Sequence, residues 1–301
     1  KSSYVDKVED KQLMEGAIQG MLASLDPHSG FLNKSDFSNL QTQIDGEYGG
    51  LGLSVTLEDE AVKVIAPTKD TPADKAGIKS GDYITHLDGK LIYGGTLDEA
   101  VEAMRGVPGT SIKLTIVRPG RDAPFDVTVT RAIIDLKPVQ WEVKERIGLI
   151  TITGFSEQTG ADVVSAVSSI KKSLGGNPLG YIVDLRSNPG GILDEAVAVS
   201  DAFLSEGEIV SERGRDKSDV QRWWAERAVP GDVTGGAPII VLVDAGSASA
   251  SEIVAGALQD HHRGLVMGER SFGKGSVQNV LPLTRDTGLR LTVARYHLPS
   301  G

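Results

Sequence analysis

Two side chains in glycine-rich settings, a serine and a lysine, are the best candidates for chemistry in this sequence. Ser249 lies in segment 246–252, which follows an apolar run at 239–243 and precedes a helical pattern at 253–259. A serine at the first turn of a helix lies beside free backbone N–H groups and the positive end of the helix dipole, and both stabilise an oxyanion. The alternative is helix capping, because Ser249 and Glu252 have the spacing of a capping box.

Lys274 stands between two glycines in segment 271–278. Glycine is poor in helices and allows a close approach of the backbone to a cleft, so this lysine could lie beside a nucleophile. To act as a base near neutral pH, its pKa must fall by roughly 3 units from the reference value of ~10.4, which burial could supply. The alternatives are a surface-turn lysine and, with Ser271, a Ser-x-x-Lys motif whose usual companion strings are absent here.

Two glycine turns could present backbone N–H groups to a ligand. Segment 183–191 reads as a buried strand that leads into a glycine turn and then a helix, and such a turn can aim an amide into a cleft. Asp184 and Arg186 beside it are more typical of structural pairing. The second turn, at 49–53, opens a strand rather than a helix, so a dinucleotide-binding interpretation fails. A glycine turn ahead of an edge strand can aim backbone N–H groups at a chain-terminal carboxylate, which is the function favoured for this turn.

The elements that must position these groups fall into three segments. Segment 1–46 has helical patterns at 11–25 and 33–44, and segment 47–134 has short strands with one helix at 96–104. Apolar strands alternate with amphipathic helices beyond residue 135, which predicts an α/β domain with a mostly parallel sheet. The polar stretch 207–236 is interpreted as a lid or mobile loop.

Composition excludes several classes of protein. The 301 residues carry 31 Lys and Arg against 41 Asp and Glu, a formal charge of −10, which disfavours nucleic-acid binding. No cysteine is present, so thiolate nucleophiles, disulfides and thiolate metal sites are excluded. Apolar runs are far shorter than the ~20 residues of a membrane-spanning helix. The chain starts without methionine and stops directly after a strand-like run, so we expect it to be trimmed at both ends.

Together these motifs resemble the C-terminal processing peptidase (tail-specific protease) family, serine peptidases with a PDZ domain. The resemblance is most specific at 247–260 and 268–278 and covers nearly the whole chain. It implies that Ser249 is the nucleophile, that Lys274 is the base and that Gln278 holds the lysine. It also implies oxyanion donors at the amides of Ala250 and Gly190, although Pro189 departs from the usual family string.

The same resemblance implies the architecture. We expect a Ser-Lys protease core with a crotonase- or Clp-protease-like fold at 135–301 that lacks its C-terminal part. A PDZ domain is expected at 47–134, inserted after an N-terminal helical segment at 1–46. Peptide binding in the PDZ domain is expected at the following residues: Gly50, Leu51, Gly52 and Leu53.

The resemblance also implies a function. It is cleavage of polypeptides with apolar C-termini, near or from that end, with the PDZ domain regulating access. An adaptor or activating protein, a homo-oligomer in the full-length form and a periplasmic or otherwise exported location are expected. No cofactor, no metal and no nucleic acid are expected. Two alternatives stay open: a non-catalytic PDZ adaptor on an inactive protease fold, and a Ser-His-Asp triad that uses His261, His262 or Asp260.

Overall fold

The chain forms two compact units. The computed structural model describes residues 4–58, 61–92, 94–216, 218–226 and 231–301. One unit comprises Lys1–Asp45 with Lys137–Gly301, and the other is Gly46–Leu136. The N-terminal segment therefore belongs to the same unit as the second half of the chain. Its elements are α1 (Asp10–Ala23), β1 (Gly30–Leu32) and α2 (Lys34–Asp45).

The unit Gly46–Leu136 is rich in antiparallel strands. Its elements are β2 (Glu47–Gly50), β3 (Leu53–Glu58), β4 (Ala61–Pro67), α3 (Pro72–Lys75), β5 (Tyr83–Leu87), β6 (Lys90–Leu91), α4 (Leu97–Met104), β7 (Ser111–Val117), β8 (Phe125–Thr130) and β9 (Ala132–Asp135). The main sheet has the order β3-β4-β5-β7-β8, so β3 is an edge strand, while β2 pairs with β9. Alternate residues of β7 are buried with the inner face of α4, as expected for a sheet covered on one side.

In its described residues, the second half of the chain adds strands and three helices. They are β10 (Val139–Lys144), β11 (Ile147–Ile152), α5 (Thr159–Leu174), β12 (Gly180–Asp184), α6 (Leu193–Asp201), β13 (Gly207–Arg213), β14 (Val220–Ala225), β15 (Ile239–Val243), α7 (Ala250–Asp260), β16 (Leu265–Gly268), β17 (Ser276–Pro282) and β18 (Gly288–His297). None of the helices in the described parts of the chain has the length and apolar character needed to cross a bilayer.

One sheet of this unit carries the main core. Its order is β10-β11-β12-β15-β16, in which β10 is antiparallel and the other pairings are parallel. Strands β12 and β15 bury Val183 and Val241 completely, and helices α5, α6 and α7 contribute to the same core. Parallel strands buried in this way bring the turns after β12 and β15 to one edge of the sheet.

A second sheet of this unit corrects two predictions. Strands β1, β18, β13 and β14 lie side by side with β17 on β18, and every pairing in it is antiparallel. The expectation of a mostly parallel protease domain therefore describes one sheet only. Stretch 207–236, interpreted as a lid or loop, contains the β13–β14 hairpin instead, although Lys217 and residues 227–230 lie outside the described residues. The crotonase- or Clp-like comparison stays a prediction.

Candidate active site

Ser249 occupies the turn between β15 and α7 in a strained backbone conformation. Its φ of 56° and ψ of −114° lie in a region that non-glycine residues rarely adopt, at a cost of about 1–3 kcal/mol. Its backbone N–H donates a hydrogen bond of 2.8 Å to Oε2 of Glu252, one turn into the helix. The predicted capping pair therefore holds a strained serine at the positive end of α7.

Asn188 ties the serine turn to the glycine turn after β12. The side chain is fully buried and donates from Nδ2 to the carbonyl of Ile152 at 2.7 Å. The backbone carbonyl of Asn188 accepts hydrogen bonds from the N–H of Ala248 at 3.0 Å and from Oγ of Ser251 at 2.9 Å. Ala248 before the serine and Ser251 two residues after it are thus fixed from the adjacent strand end.

Gly190 lies directly against the serine, and its N–H is hydrogen-bonded within its own turn. Its N–H already donates to Oδ1 of Asn188 at 2.9 Å, because the buried asparagine closes a turn over Pro189. The oxyanion role of Gly190 stays a prediction. The residue leaves space at the site, since a Cβ there would lie 2.8 Å from Cβ of Ser249 and 2.9 Å from the backbone nitrogen of Ala250.

The predicted donor at Ala250 has a free N–H. Ala250 is the first residue of α7, where an N–H has no partner within the helix. Among the described residues, no hydrogen bond from this N–H is found. The group beside the strained serine is therefore available to an oxyanion.

Lys274 is half-buried, and its surroundings favour the neutral amine. Burial lowers the pKa of Lys274 from its ordinary value, and the positive charge of Arg290 lowers it further, while Glu252 opposes the shift. Nζ donates to Oε1 of Gln278, four residues along, and to the carbonyl of Ser276 at 3.4 Å. The direction of the shift is the one a lysine base requires.

Gln278 is held in turn by the β17–β18 hairpin. Its Nε2 donates to Oγ of Ser276 at 2.8 Å and to Oγ1 of Thr292 at 3.2 Å. The carbonyl oxygen of its amide is thereby directed to the lysine. The hairpin itself was missed in the sequence beyond a strand-like run at its end.

Two further residues, Glu252 and Tyr296, connect the serine and lysine segments, and the sequence did not predict this role for either of them. Glu252, interpreted only as a cap, also accepts hydrogen bonds from the N–H groups of Gly273 at 2.7 Å and Lys274 at 2.8 Å. The hydroxyl of Tyr296 donates to the carbonyl of Lys274 and lies 3.3 Å from the carbonyl of Ser249. Burial raises the pKa of Tyr296.

These groups border one cleft of about 700 Å³. Its lining includes Gly190, Ser249, Ala250, Lys274, Gln278 and Tyr296. Parts of the chain far apart in sequence therefore converge on a single space that combines a serine hydroxyl, a lysine whose pKa is lowered from its ordinary value, and a free backbone donor. This combination suits acyl transfer through a serine nucleophile and an amine base.

The competing catalytic arrangements do not fit this geometry. His261 and His262 follow the far end of α7, so twelve residues of helical rise, about 18 Å, separate His261 from Ser249. His261 also contacts the carbonyl of Glu208 at 2.7 Å. Ser271 lies in an irregular loop and donates to Glu252 at 2.7 Å, rather than opening a helix as a Ser-x-x-Lys motif requires.

The four predicted peptide-binding residues lie together at the start of edge strand β3. A small cavity of about 40 Å³ is bordered by these four residues together with the following others: Tyr48, Val55, Val101, Met104 and Arg105. Leu51 is buried, and its carbonyl accepts a hydrogen bond of 2.9 Å from Ala73. Gly52 has a φ of +77°, and a Cβ there would meet Thr71 at 2.4 Å, so glycine is required at this turn.

Asp184 and Arg186, beside the glycine turn, form the structural pair that the sequence favoured. The guanidinium of Arg186 donates to both carboxylate oxygens of Asp184, at 2.9 and 2.6 Å.

In the described portion of the chain, no cluster of three or more His, Asp or Glu residues could hold a metal ion.

Three family models match successive parts of the chain. Residues 146–301 match the model of peptidase family S41, residues 49–129 that of the PDZ domain, and residues 1–36 that of the activating protease CtpB N-terminal domain. A carboxy-terminal-processing protease of Bartonella bacilliformis is 50% identical over 302 residues, covering 100% of this chain and 69% of that protein. The carboxy-terminal processing protease CtpA of Bacillus subtilis is 36% identical, covering 100% of this chain and 63% of that protein.

Solved structures show the same similarity. The photosystem II D1 C-terminal processing protease superposes with a TM-score of 0.54 at 29% identity, covering 99% of this chain and 80% of that chain. Fold, site and sequence similarity together define a serine-type peptidase that carries a PDZ domain. The chain belongs to the carboxy-terminal processing proteases of peptidase family S41.

Proposed function

We propose that this chain cleaves polypeptides at or near their C-termini through a Ser-Lys dyad formed by Ser249 and Lys274. The observation that carries this proposal is that a strained serine and a half-buried lysine of lowered pKa border the same cleft. Strain at a single non-glycine residue and a perturbed pKa are both typical of catalytic groups.

The chemistry follows from the two side chains. Neutral Lys274 removes the proton from Oγ of Ser249 while that oxygen attacks the carbonyl carbon of the scissile peptide bond. The tetrahedral intermediate collapses as the C–N bond breaks, and the lysine returns its proton to the leaving amine. Water, deprotonated by the same lysine, then hydrolyses the acyl-enzyme and regenerates the serine.

Backbone geometry supports stabilisation of the intermediate. The free N–H of Ala250 is the donor we assign to the oxyanion, since it lies next to the nucleophile at the positive end of α7. Gly190 contributes by having no side chain, because a Cβ would occupy the space beside this N–H.

The unit Gly46–Leu136 is the proposed recognition module. Edge strand β3 offers unpaired backbone groups to an extended peptide, and the adjoining cavity is lined mainly by apolar side chains. These features suit an apolar C-terminal residue with a free carboxylate. Regulation of access to the cleft by this module is part of the proposal.

The remaining expectations concern the cell and the assembly. We propose an exported, periplasmic location, a homo-oligomer in the full-length protein, and an adaptor or activating partner, all on the basis of family membership. Cell fractionation and sedimentation of the full-length protein would test the first two, and recovery of a partner with the catalytically inactive protein would test the third.

The function is tested by mass spectrometry of unfolded polypeptides that end in apolar residues, with free or amidated C-termini. Cleavage by the wild-type protein that is lost in Ser249→Ala and in Lys274→Ala, and weakened by amidation, supports the proposal. Ser205→Ala and Lys172→Ala, which alter exposed residues, are the matched controls. Binding of the peptides without cleavage by a full-length protein would overturn the proposal in favour of a PDZ adaptor.

A further inference from the structure

A row of hydrogen bonds leads from the lysine to an aspartate in the N-terminal segment. Nζ of Lys274 donates to Oε1 of Gln278, whose Nε2 donates to Oγ1 of Thr292 at 3.2 Å. The hydroxyl of Thr292 donates to Oδ1 of Asp26 at 3.1 Å. Asp26 is 248 positions before Lys274 in the sequence and has no place in the chemistry described above.

The direction of every bond in this row is determined at its aspartate end. A glutamine amide can present either its oxygen or its NH2, and a hydroxyl can donate or accept, but a carboxylate only accepts. Thr292 must therefore donate its single proton to Asp26. Its lone pairs are then left to accept from Nε2 of Gln278, which turns the amide oxygen toward Lys274.

The ionised state of Asp26 is secured by its own turn. Oδ1 accepts hydrogen bonds from the N–H groups of His28 at 2.8 Å and Ser29 at 2.9 Å, and Oδ2 accepts from Oγ of Ser29 at 2.7 Å. These bonds, that of the Ser29 hydroxyl above all, lower the pKa of Asp26 to about 2. The carboxylate is therefore an acceptor throughout the neutral pH range.

The backbone fixes this turn against the hairpin that carries the site. Strand β1 pairs with β18, the N–H of Thr292 donates to Oγ of Ser29 at 3.1 Å, and Nε of Arg290 donates to the carbonyl of His28 at 3.0 Å. These contacts fix the separation between Asp26 and Thr292.

The orientation of the amide matters for a lysine that acts as a base. A neutral amine has two N–H groups and one lone pair, and the carbonyl oxygens of Gln278 and Ser276 accept the two N–H bonds. The lone pair is then left for the serine proton. A reversed amide would donate its NH2 to this lone pair and occupy the base.

We propose that Asp26 is a positioning residue for the catalytic lysine, which acts through Thr292 to set the orientation of the Gln278 amide. The inference rests on the proposed function, because it assigns the direction of a bond to the proposed base. Asp26 itself does not touch the substrate or the reacting atoms.

The test compares Thr292→Val and Asp26→Ala with Thr292→Ser, measured as kcat, KM and the pH profile of peptide cleavage. Valine removes the hydroxyl at nearly constant volume, and alanine removes the carboxylate whose Oδ1 accepts from Thr292. We expect kcat to fall about 10- to 100-fold in both with little change in KM, because the base loses its orientation. Thr292→Ser keeps the hydroxyl and should retain most of the activity.

The pH profile separates positioning from simple loosening of the structure. A reversed amide disfavours the charged lysine, so the acid limb of kcat/KM should move to lower pH as the plateau falls. Loosening admits water, which would move the limb to higher pH instead. Thr284→Val, which removes a hydroxyl from the exposed end of the same hairpin, is the matched control and should behave as the wild type.

Three outcomes overturn the inference: unchanged kcat in both Thr292→Val and Asp26→Ala, an acid limb displaced to higher pH in Thr292→Val, or a loss in Thr292→Ser as large as in Thr292→Val. Lys274→Ala, assayed alongside, separates this inference from the proposed function. Cleavage that needs Lys274 but not Asp26 contradicts the inference alone, whereas cleavage that does not need Lys274 contradicts both.

Discussion

The backbone N–H of Lys274 donates a hydrogen bond of 2.8 Å to Oε2 of Glu252. The same oxygen accepts from the N–H of Ser249 at 2.8 Å, while Oε1 accepts from Ser271 and from the N–H of Gly273, both at 2.7 Å. One carboxylate thus binds the backbones of the proposed nucleophile and the proposed base. Glu252 therefore helps to set the distance between the backbone of Ser249 and that of Lys274.

Replacing Glu252 with glutamine should disable the site. An amide offers one acceptor oxygen where the carboxylate offers two, so two of the four donors would face an NH2 group. We expect kcat to fall by more than tenfold and the free energy of unfolding by about 2–4 kcal/mol, since hydrogen bonds to a charged group contribute about 1.5–3 kcal/mol each. Peptide cleavage and chemical denaturation measure the two effects.

The matched control is Glu269→Gln, because Glu269 is exposed in the segment between β16 and Lys274. It should leave both quantities unchanged. Retention of wild-type kcat by Glu252→Gln would contradict the role assigned to this carboxylate.

Replacing Arg290 with glutamine should move the pH dependence of cleavage. The positive charge of Arg290 lowers the pKa of Lys274, so its removal raises that pKa and leaves less neutral amine at pH 7. Activity rises with pH as the lysine loses its proton, so the acid limb should shift to higher pH. We expect several-fold lower cleavage at pH 7 that recovers at alkaline pH.

Arg290→Lys keeps a positive charge and should shift the profile less than the glutamine variant. Arg285→Gln, in the exposed turn between β17 and β18, serves as the control for total charge. An acid limb that stays in place in Arg290→Gln would show that its charge does not act on the base.

Gly190→Ala should block the cleft beside the nucleophile. The new Cβ would lie 2.7 Å from the carbonyl of Ala248 and 2.8 Å from Cβ of Ser249, and the φ of +100° disfavours any side chain. We expect kcat to fall by at least tenfold and the stability by about 1–3 kcal/mol. Gly235→Ala, with a φ of +68° and nothing within 4 Å of the new Cβ, isolates backbone strain from the clash. Equal effects in both variants would rule out a specific role for Gly190.

Tyr296→Phe should loosen the contact between the two catalytic segments. The hydroxyl donates to the carbonyl of Lys274 and lies near that of Ser249, so its loss leaves the Lys274 carbonyl without this donor. A hydrogen bond of this kind contributes about 0.5–1.5 kcal/mol, which predicts a kcat roughly 2- to 10-fold lower. Steady-state kinetics with Tyr83→Phe, a residue of the other unit, as control would check this. An unchanged kcat would assign Tyr296 to packing alone.

Local sequence was enough to find the parts of the site that lie on turns. Ser249 and Lys274 stand in glycine-rich strings whose residue types are unusual for helices or strands, and the capping spacing of Glu252 is visible within one helical turn. Gly190 lies against the serine, and its N–H donates to the buried side chain of Asn188. Only tertiary packing shows this hydrogen bond.

The rest of the site depends on contacts between distant segments. Asp26, Thr292 and Tyr296 come from a loop and a hairpin strand that meet only in the folded chain, so no local pattern connects them. Strands β13 and β14 were interpreted as a loop because their polar, partly exposed residues hide the alternation that marks a strand. The antiparallel sheet that positions Gln278 was therefore not predicted.

Covalent labelling tests whether Ser249 is the nucleophile and Lys274 its base. An alkyl fluorophosphonate, which reacts with activated serine hydroxyls, would be incubated with the wild type, Lys274→Ala and the Lys172→Ala control, and the modified residue mapped by tandem mass spectrometry. We expect a label on Ser249 whose rate of formation rises with pH as Lys274 loses its proton, and which falls sharply in Lys274→Ala only. A label on another residue, or undiminished labelling of Ser249 in Lys274→Ala, would contradict it.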